Sequence, residues 1–194
     1  PTGTTLLPKQ LATNAEVLSW IREARYPLFT FISTNDFHGQ LETGKTVSSK
    51  LVGGAAYNMT YINNYKALNP LGTVLLDVGD MMQGTPISNL LYGESVIDVY
   101  NHMGYKASVV GNHEFDWGLD VLQDRMDQAK FPILLANVFY EGSDERPDWA
   151  VPTTMLYVKG EHIGVIGVTS KDTPSIVMAG VTEGLEFRDV GPIV

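Results

Sequence analysis

The run Val109-Val110-Gly111-Asn112-His113-Glu114-Phe115-Asp116-Trp117-Gly118 constrains this chain more than any other stretch. Apolar residues stop at Gly111, a dense polar cluster follows at once, and a helix-like pattern begins near Trp117. A short strand that empties through polar residues into a helix is the junction from which α/β folds are built. In such folds the loops at the carboxyl ends of the strands converge on one crevice. Two earlier apolar runs end in the same way, in Asn35-Asp36-Phe37-His38 and in Gly79-Asp80.

The rest of the chain supplies the strands and helices this architecture needs. Residues 1–10 read as a loose lead-in, and residues 13–26 as a capped helix that Pro27 ends. Leu28–Thr34, Thr73–Val78, Lys106–Val110 and Ile133–Ala136 are rich in β-branched or apolar residues and read as buried strands. Residues 39–52 read as a polar loop. Helices are expected over Ala55–Leu68, from Pro86 with a break at Gly93, over Ser95–Met103, and over Gly118–Ala129. Thr154–Val158 and Ile163–Thr169 flank a Gly-containing turn and suggest an antiparallel hairpin, with His162 in the turn. Beyond Thr173-Pro174 the periodicity fades. The expectation is an α/β fold with a largely parallel β-sheet flanked by helices, the hairpin making it one of mixed β-sheets or starting a second sheet.

Composition narrows the function. The chain has 194 residues, 44% hydrophobic and 18% charged, enough for one domain with its own core. Its net charge of −9 argues against nucleic acid polymers and anionic membranes as partners. It leaves phosphate substrates open where bound cations reverse the local sign. With no cysteine, disulfides, thiolate ligands and a Cys nucleophile are excluded. No apolar run is long enough to span a bilayer. Asn58-Met59-Thr60 fits a glycosylation sequon but falls in an expected helix and is discounted.

Asp36 and His38 sit two apart at a strand end, so both side chains could face one cation. Alternatively, Asp36 caps a turn beside a surface histidine. Asp80 is either a ligand or a turn carboxylate, and Asp77 a buried hydrogen-bonding group. Asn112 is an oxygen ligand or a helix cap, with Glu114 and Asp116 favoured by the helix dipole. His113 and Asp116, three apart, could form a pair in which the carboxylate fixes the imidazole tautomer. His102 and His162 read as structural and solvent-facing respectively. The joint pattern favours chemistry, because three successive strand ends each carry metal-type ligands.

These residues resemble a family. Asn35-Asp36-Phe37-His38-Gly39, Gly79-Asp80-x-x-x-Gly84 and Gly111-Asn112-His113-Glu114 are similar to the three opening motifs of calcineurin-like metallophosphoesterases. Gly53-Gly54-Ala55-Ala56, Gln83-Gly84-Thr85-Pro86, Phe115-Asp116-Trp117-Gly118 and Pro132–Val138 resemble the 5'-nucleotidase branch, which includes UDP-sugar hydrolases and 2',3'-cyclic phosphodiesterases. The resemblance runs from about Phe29 to Thr169. It implies a metallophosphatase-like αββα layering, incomplete in this chain. It implies two divalent ions (Zn, Mn, Fe, Ni or Co), with Asp36 and His38 on the first, Asp80 bridging and Asn112 on the second. His113, paired with Asp116, would act on the phosphate, and Asn112 and His113 would touch substrate. The implied reaction is attack of metal-bound hydroxide on the phosphorus of a nucleotide. A periplasmic, secreted or cell-surface location follows from the family alone, and the oligomeric state is open.

The chain also departs from the family. It has four histidines, and only His162, preceded by Glu161, follows His113. The family's later Gly-His motifs and its nucleoside-recognising domain have no counterpart. The expectation is therefore an N-terminal extension over residues 1–27, the N-terminal part of a catalytic domain over residues 28–194, and a half-built metal site with little activity by itself. Two other readings stand beside it: a thiosulfohydrolase of the same fold, and a non-catalytic binding domain.

Overall fold

The computed structural model describes residues 28–194, so the helix expected over residues 13–26 lies outside the described residues. The strands form a chain of neighbours. Strand β1 (Thr30–Thr34) pairs in parallel with β4 (Thr73–Asp77), and β5 (Ser108–Val109) in parallel with β6 (Ile133–Leu134). A parallel bridge between Leu76 and Ala107 joins the two pairs, and another between Leu134 and Val151 extends them. The order β1-β4-β5-β6 therefore sets three strand ends side by side on one edge. This is the arrangement expected when helices cross between successive parallel strands.

Those crossovers are the helices read from the sequence. Helix α1 (Ala55–Leu68) links β1 to β4. The break at Gly93 separates α2 (Pro86–Asn89) from α3 (Glu94–Met103), because Gly93 adopts φ 82° and caps α3. Helix α4 (Leu119–Gln128) links β5 to β6. Val96, Ile97, Tyr100 and Met103 of α3 and Leu122 of α4 are buried. They join Leu75, Val110, Ile133 and Leu135 in one core cluster. At about 25 cal/mol per Å² of apolar surface removed from water, such burial is the main force holding helices to sheet.

Strands β8 (Thr153–Val158) and β9 (Glu161–Ile166) form the expected antiparallel hairpin. Its two-residue turn is Lys159-Gly160, both at positive φ, as a type I′ turn requires. His162 lies within β9, not in the turn; it is exposed and packs 5.2 Å from the Tyr157 ring. The hairpin base leans on the parallel strands through Leu135 N–H to Val151 O and Ala136 N–H to Gly167 O. The expected mixture of parallel and antiparallel pairing with flanking helices is present.

Two further features depart from the sequence reading. Residues 39–52 contain a hairpin, β2 (Lys45–Val47) against β3 (Lys50–Val52), closed by Ser48-Ser49 at positive φ. Past residue 173 the chain forms the short helix α5 (Thr173–Ile176) and then β10 (Leu185–Phe187), which pairs with β7 (Val138–Tyr140). Asn137 secures that return. Its amide nitrogen donates to Thr169 O and Arg188 O, and its oxygen accepts from Thr169 N–H. Among the described residues no helix is long and apolar enough to cross a membrane.

Candidate metal centre

The three polar strand ends are laced together before any side chain is considered. The backbone N–H of Asp36 donates to Gly79 O, that of His38 to Asp80 O, and that of Gly39 to Met81 O. Phe37 is buried and packs against the Tyr100 ring at 5.5 Å, so this inward anchor leaves Asp36 and His38 outside the core. Strand periodicity does not explain their shared direction, because β1 ends at Thr34. Both instead occupy left-handed backbone, at φ 50° and 48°, and so does Asp80 at φ 56°. Left-handed conformations are uncommon outside glycine and gather where surrounding structure imposes them, at functional sites in particular.

Gly79 and Gly111 allow the second and third loops to touch. Gly79 has φ 98°, and a Cβ there would lie 2.8 Å from Gly111 N. The approach brings His38, Asp80 and His113 together, each offering one ligand atom within 4.8 Å of the others. All three are half-buried. Asp36 is more exposed and stands beside this group, its Oδ1 3.7 Å from His38 Nε2. The His38 ring is held from behind, with Nδ1 2.8 Å from Gln83 O, leaving Nε2 toward the cluster. A ligand imidazole is commonly oriented in this way by a backbone carbonyl.

Asp80 is doubly engaged. Its Oδ1 accepts from His113 N–H at 3.0 Å. Its Oδ2 faces the Asn112 amide at 3.3 Å, and the amide has two orientations. In one, nitrogen donates to Asp80 and oxygen accepts from His113 N–H. In the other, the Asn112 and Asp80 oxygens face each other, an arrangement that a cation between them would stabilise. Asn112 precedes the 3₁₀ turn His113–Phe115, and only the orientation with its oxygen toward His113 N–H, at 3.3 Å, would cap that turn; in the other it makes no side-chain capping bond. Imidazole, carboxylate and amide oxygen form a donor set that suits a divalent ion of the Zn, Mn or Fe type.

His113 and Asp116 form the expected pair, Nδ1 to Oδ2 at 2.7 Å. Burial works against the imidazolium. The Asp116 hydrogen bond and the charges of Asp116, Asp80 and Glu114 outweigh it and hold the His113 pKa above its ordinary value. The His38 and His113 rings meet edge-to-face at 5.0 Å. His102 sits away from this group on α3, its Nδ1 2.8 Å from Asp98 O within the same helix.

Two buried carboxylates support the loops. Asp77 accepts from Thr34 Oγ1, Tyr100 Oη, Ser108 Oγ and Gly79 N–H, and burial raises its pKa despite those bonds. It is the hydrogen-bonding carboxylate the sequence allowed for. Glu114, which the sequence marks only as favoured by the helix dipole, is 1% exposed. It accepts from Asp80 N–H, Met81 N–H and Gly111 N–H, each at 2.8 Å. Burial and the Asp80 charge push its pKa up to about 7, against the lowering effect of those bonds.

With this geometry in view, the comparisons with known proteins are specific. No family model matches the chain. A snake venom 5'-nucleotidase from Gloydius brevicauda is 38% identical over 168 residues, which is 82% of this chain and 28% of the relative. The crystal structure of a 5'-nucleotidase precursor from Thermus thermophilus superposes with a TM-score of 0.73 at 30% identity, over 85% of this chain and 32% of that one. The chain belongs to the 5'-nucleotidase branch of the calcineurin-like metallophosphoesterases, matching the N-terminal part. It spans about three-tenths of the length of the curated 5'-nucleotidase it matches. A sulfate thiohydrolase from Thermus thermophilus shares the calcineurin-like fold, with a TM-score of 0.70 at 16% identity over 86% of this chain and 40% of that one.

Proposed function

We propose that the intact protein is a metal-dependent phosphoric ester hydrolase of the 5'-nucleotidase type, acting on nucleotides. Residues 28–194 are the N-terminal part of its catalytic domain and residues 1–27 an extension. The observation that carries this reading is the convergence of His38, Asp80 and His113 ligand atoms within 4.8 Å at three neighbouring strand ends. In this reading Asp36 and His38 hold one cation, Asp80 is shared, and Asn112 holds a second. Divalent cations there would polarise phosphoryl oxygens and acidify water.

The chain's own residues then carry the proton chemistry. Asp116 holds a proton on His113 Nδ1 and leaves Nε2 for the substrate. In its cationic form His113 stabilises charge on a phosphoryl oxygen or protonates a leaving alkoxide at Nε2. Asn112, beside it, orients the phosphate. An exported or cell-surface location fits a branch with a snake venom relative.

The thiohydrolase reading is the alternative, because a sulfate thiohydrolase has the same fold. The full-length protein, assayed with manganese or zinc on AMP and on a thiosulfonate, separates the two. Orthophosphate release from AMP that Asn112→Ala abolishes supports the nucleotidase. Turnover of the thiosulfonate alone refutes it.

A further inference from the structure

We propose that Glu114 is a positioning residue that sets the Asp80 carboxylate for cation binding, an inference that rests on the metal-site reading. Asp80 sits on a loop after β4 and must hold a left-handed backbone at φ 56° to present its side chain. Within its own strand Asp77 Oδ1 accepts from Gly79 N–H, one residue before Asp80, and does not reach the Asp80 backbone itself. The restraint comes from the neighbouring loop. Glu114 Oε2 accepts from both Asp80 N–H and Gly111 N–H at 2.8 Å, so one oxygen ties the second strand end to the third. Its Oε1 accepts from Met81 N–H at 2.8 Å and from Met82 N–H at 3.4 Å, fixing the two residues that follow. Met81 and Met82 are themselves fully buried, which closes the loop from below. The carboxylate thus forms a floor of accepted N–H bonds under Asp80, while Asp80 Oδ1 takes the His113 N–H above it.

The residue type follows from this geometry. Four N–H groups converge on one side chain, and only a carboxylate offers acceptor capacity on both ends with no donor of its own. A glutamine would turn its NH₂ toward two of those N–H groups and release one half of the floor. Gly111 is part of the same device. A Cβ there would fall inside contact distance of Asp80 Oδ1 and 2.8 Å from Glu114 Oε2. Any side chain at 111 would therefore push the ligand carboxylate and its support apart. Glu114 itself is enclosed and is not one of the grouped residues His38, Asp80 and His113, so it acts only through Asp80.

The test uses the full-length protein in metal-free form, with two readouts. Amide hydrogen exchange over residues 79–83 reports the floor without any metal, and calorimetric titration with manganese reports the site. Glu114→Gln is expected to speed exchange in that segment and to weaken manganese binding by about 10-fold or more, the scale for groups that orient metal ligands. Gly111→Ala, which leaves Glu114 intact, is expected to weaken binding comparably, and it carries the test if the glutamine variant does not fold. Unchanged exchange and manganese affinity within twofold of wild type would overturn the role of Glu114 while leaving the metal site standing. Wild-type protein that binds no manganese, yet shows the same slow exchange, would overturn the metal-site reading and this inference with it.

Discussion

His113 Nδ1 lies 2.7 Å from Asp116 Oδ2, while the backbone N–H of the same histidine binds Asp80 Oδ1 at 3.0 Å. One residue is therefore tied to a candidate ligand through its main chain and to a carboxylate through its ring. The two ties separate metal binding from proton chemistry, and substitution can address each.

Asp116→Asn should leave cation affinity within about threefold of wild type and lower kcat by about 10²-fold, the low end for losing acid–base assistance. The ring would lose the partner that raises its pKa. His113 is cationic below its folded pKa and neutral above it. The imidazole of the variant should therefore deprotonate at lower pH than in the wild type. Steady-state kinetics on the full-length protein and an NMR titration of metal-free protein check both statements.

Asp80→Asn and Asn112→Ala should each cost at least tenfold in manganese affinity, because ligand groups outweigh the residues that orient them. A chelator should abolish AMP hydrolysis by the wild type, and added manganese should restore it. Activity that survives complete metal removal would count against both roles.

Asp77 makes a pH-dependent contribution to stability. Its folded pKa is raised by burial, so its ionisation opposes folding as pH climbs from the ordinary carboxylate range through the raised value. The opposition is absent below that range and complete above it. Asp77→Asn can keep four partners, because its nitrogen can donate to the Thr34 and Tyr100 hydroxyls while its oxygen accepts from Gly79 N–H and Ser108. At neutral pH it should lie within about 1 kcal/mol of wild type, and Asp77→Ala should lose about 3 kcal/mol by stranding buried donors. The advantage of the Asn variant over wild type should shrink as pH falls. Urea unfolding at two pH values reads all three.

Gly79→Ala should destabilise by about 1–3 kcal/mol, the scale for a non-glycine residue forced into left-handed backbone. The added methyl would also meet Gly111 N at 2.8 Å. Thermal unfolding is the readout.

The parallel strands and α1 were legible because their signals are local. Leu28–Thr34 runs into Asn35-Asp36-Phe37-His38, Thr73–Val78 stops at Gly79-Asp80, and Lys106–Val110 stops at Gly111-Asn112-His113. The β2–β3 hairpin was hidden because its turn is Ser48-Ser49, without the Asn or Gly that marks such turns. The pairing of β10 with β7 joins three-residue strands far apart in the chain, Glu186 lying opposite Phe139, and no short window reports that. The roles of Asp36, His38, Asp80 and Asn112 could be suspected from residue type at strand ends. Glu114 could not. Its partners Asp80 and Met81 lie 34 and 33 positions away, and only the adjacency of β4 and β5 brings them beneath it.

In the proposed site the ends of β1, β4 and β5 hold divalent cations through Asp36, His38, Asp80 and Asn112. An anomalous difference map from crystals of the full-length protein grown with manganese tests this most directly. The expected result is manganese density at the Asp36, His38 and Asp80 side chains and at the Asp80 carboxylate and Asn112 side-chain oxygen. A manganese-loaded protein whose density lies elsewhere, with His38 and Asp80 unliganded, would contradict it.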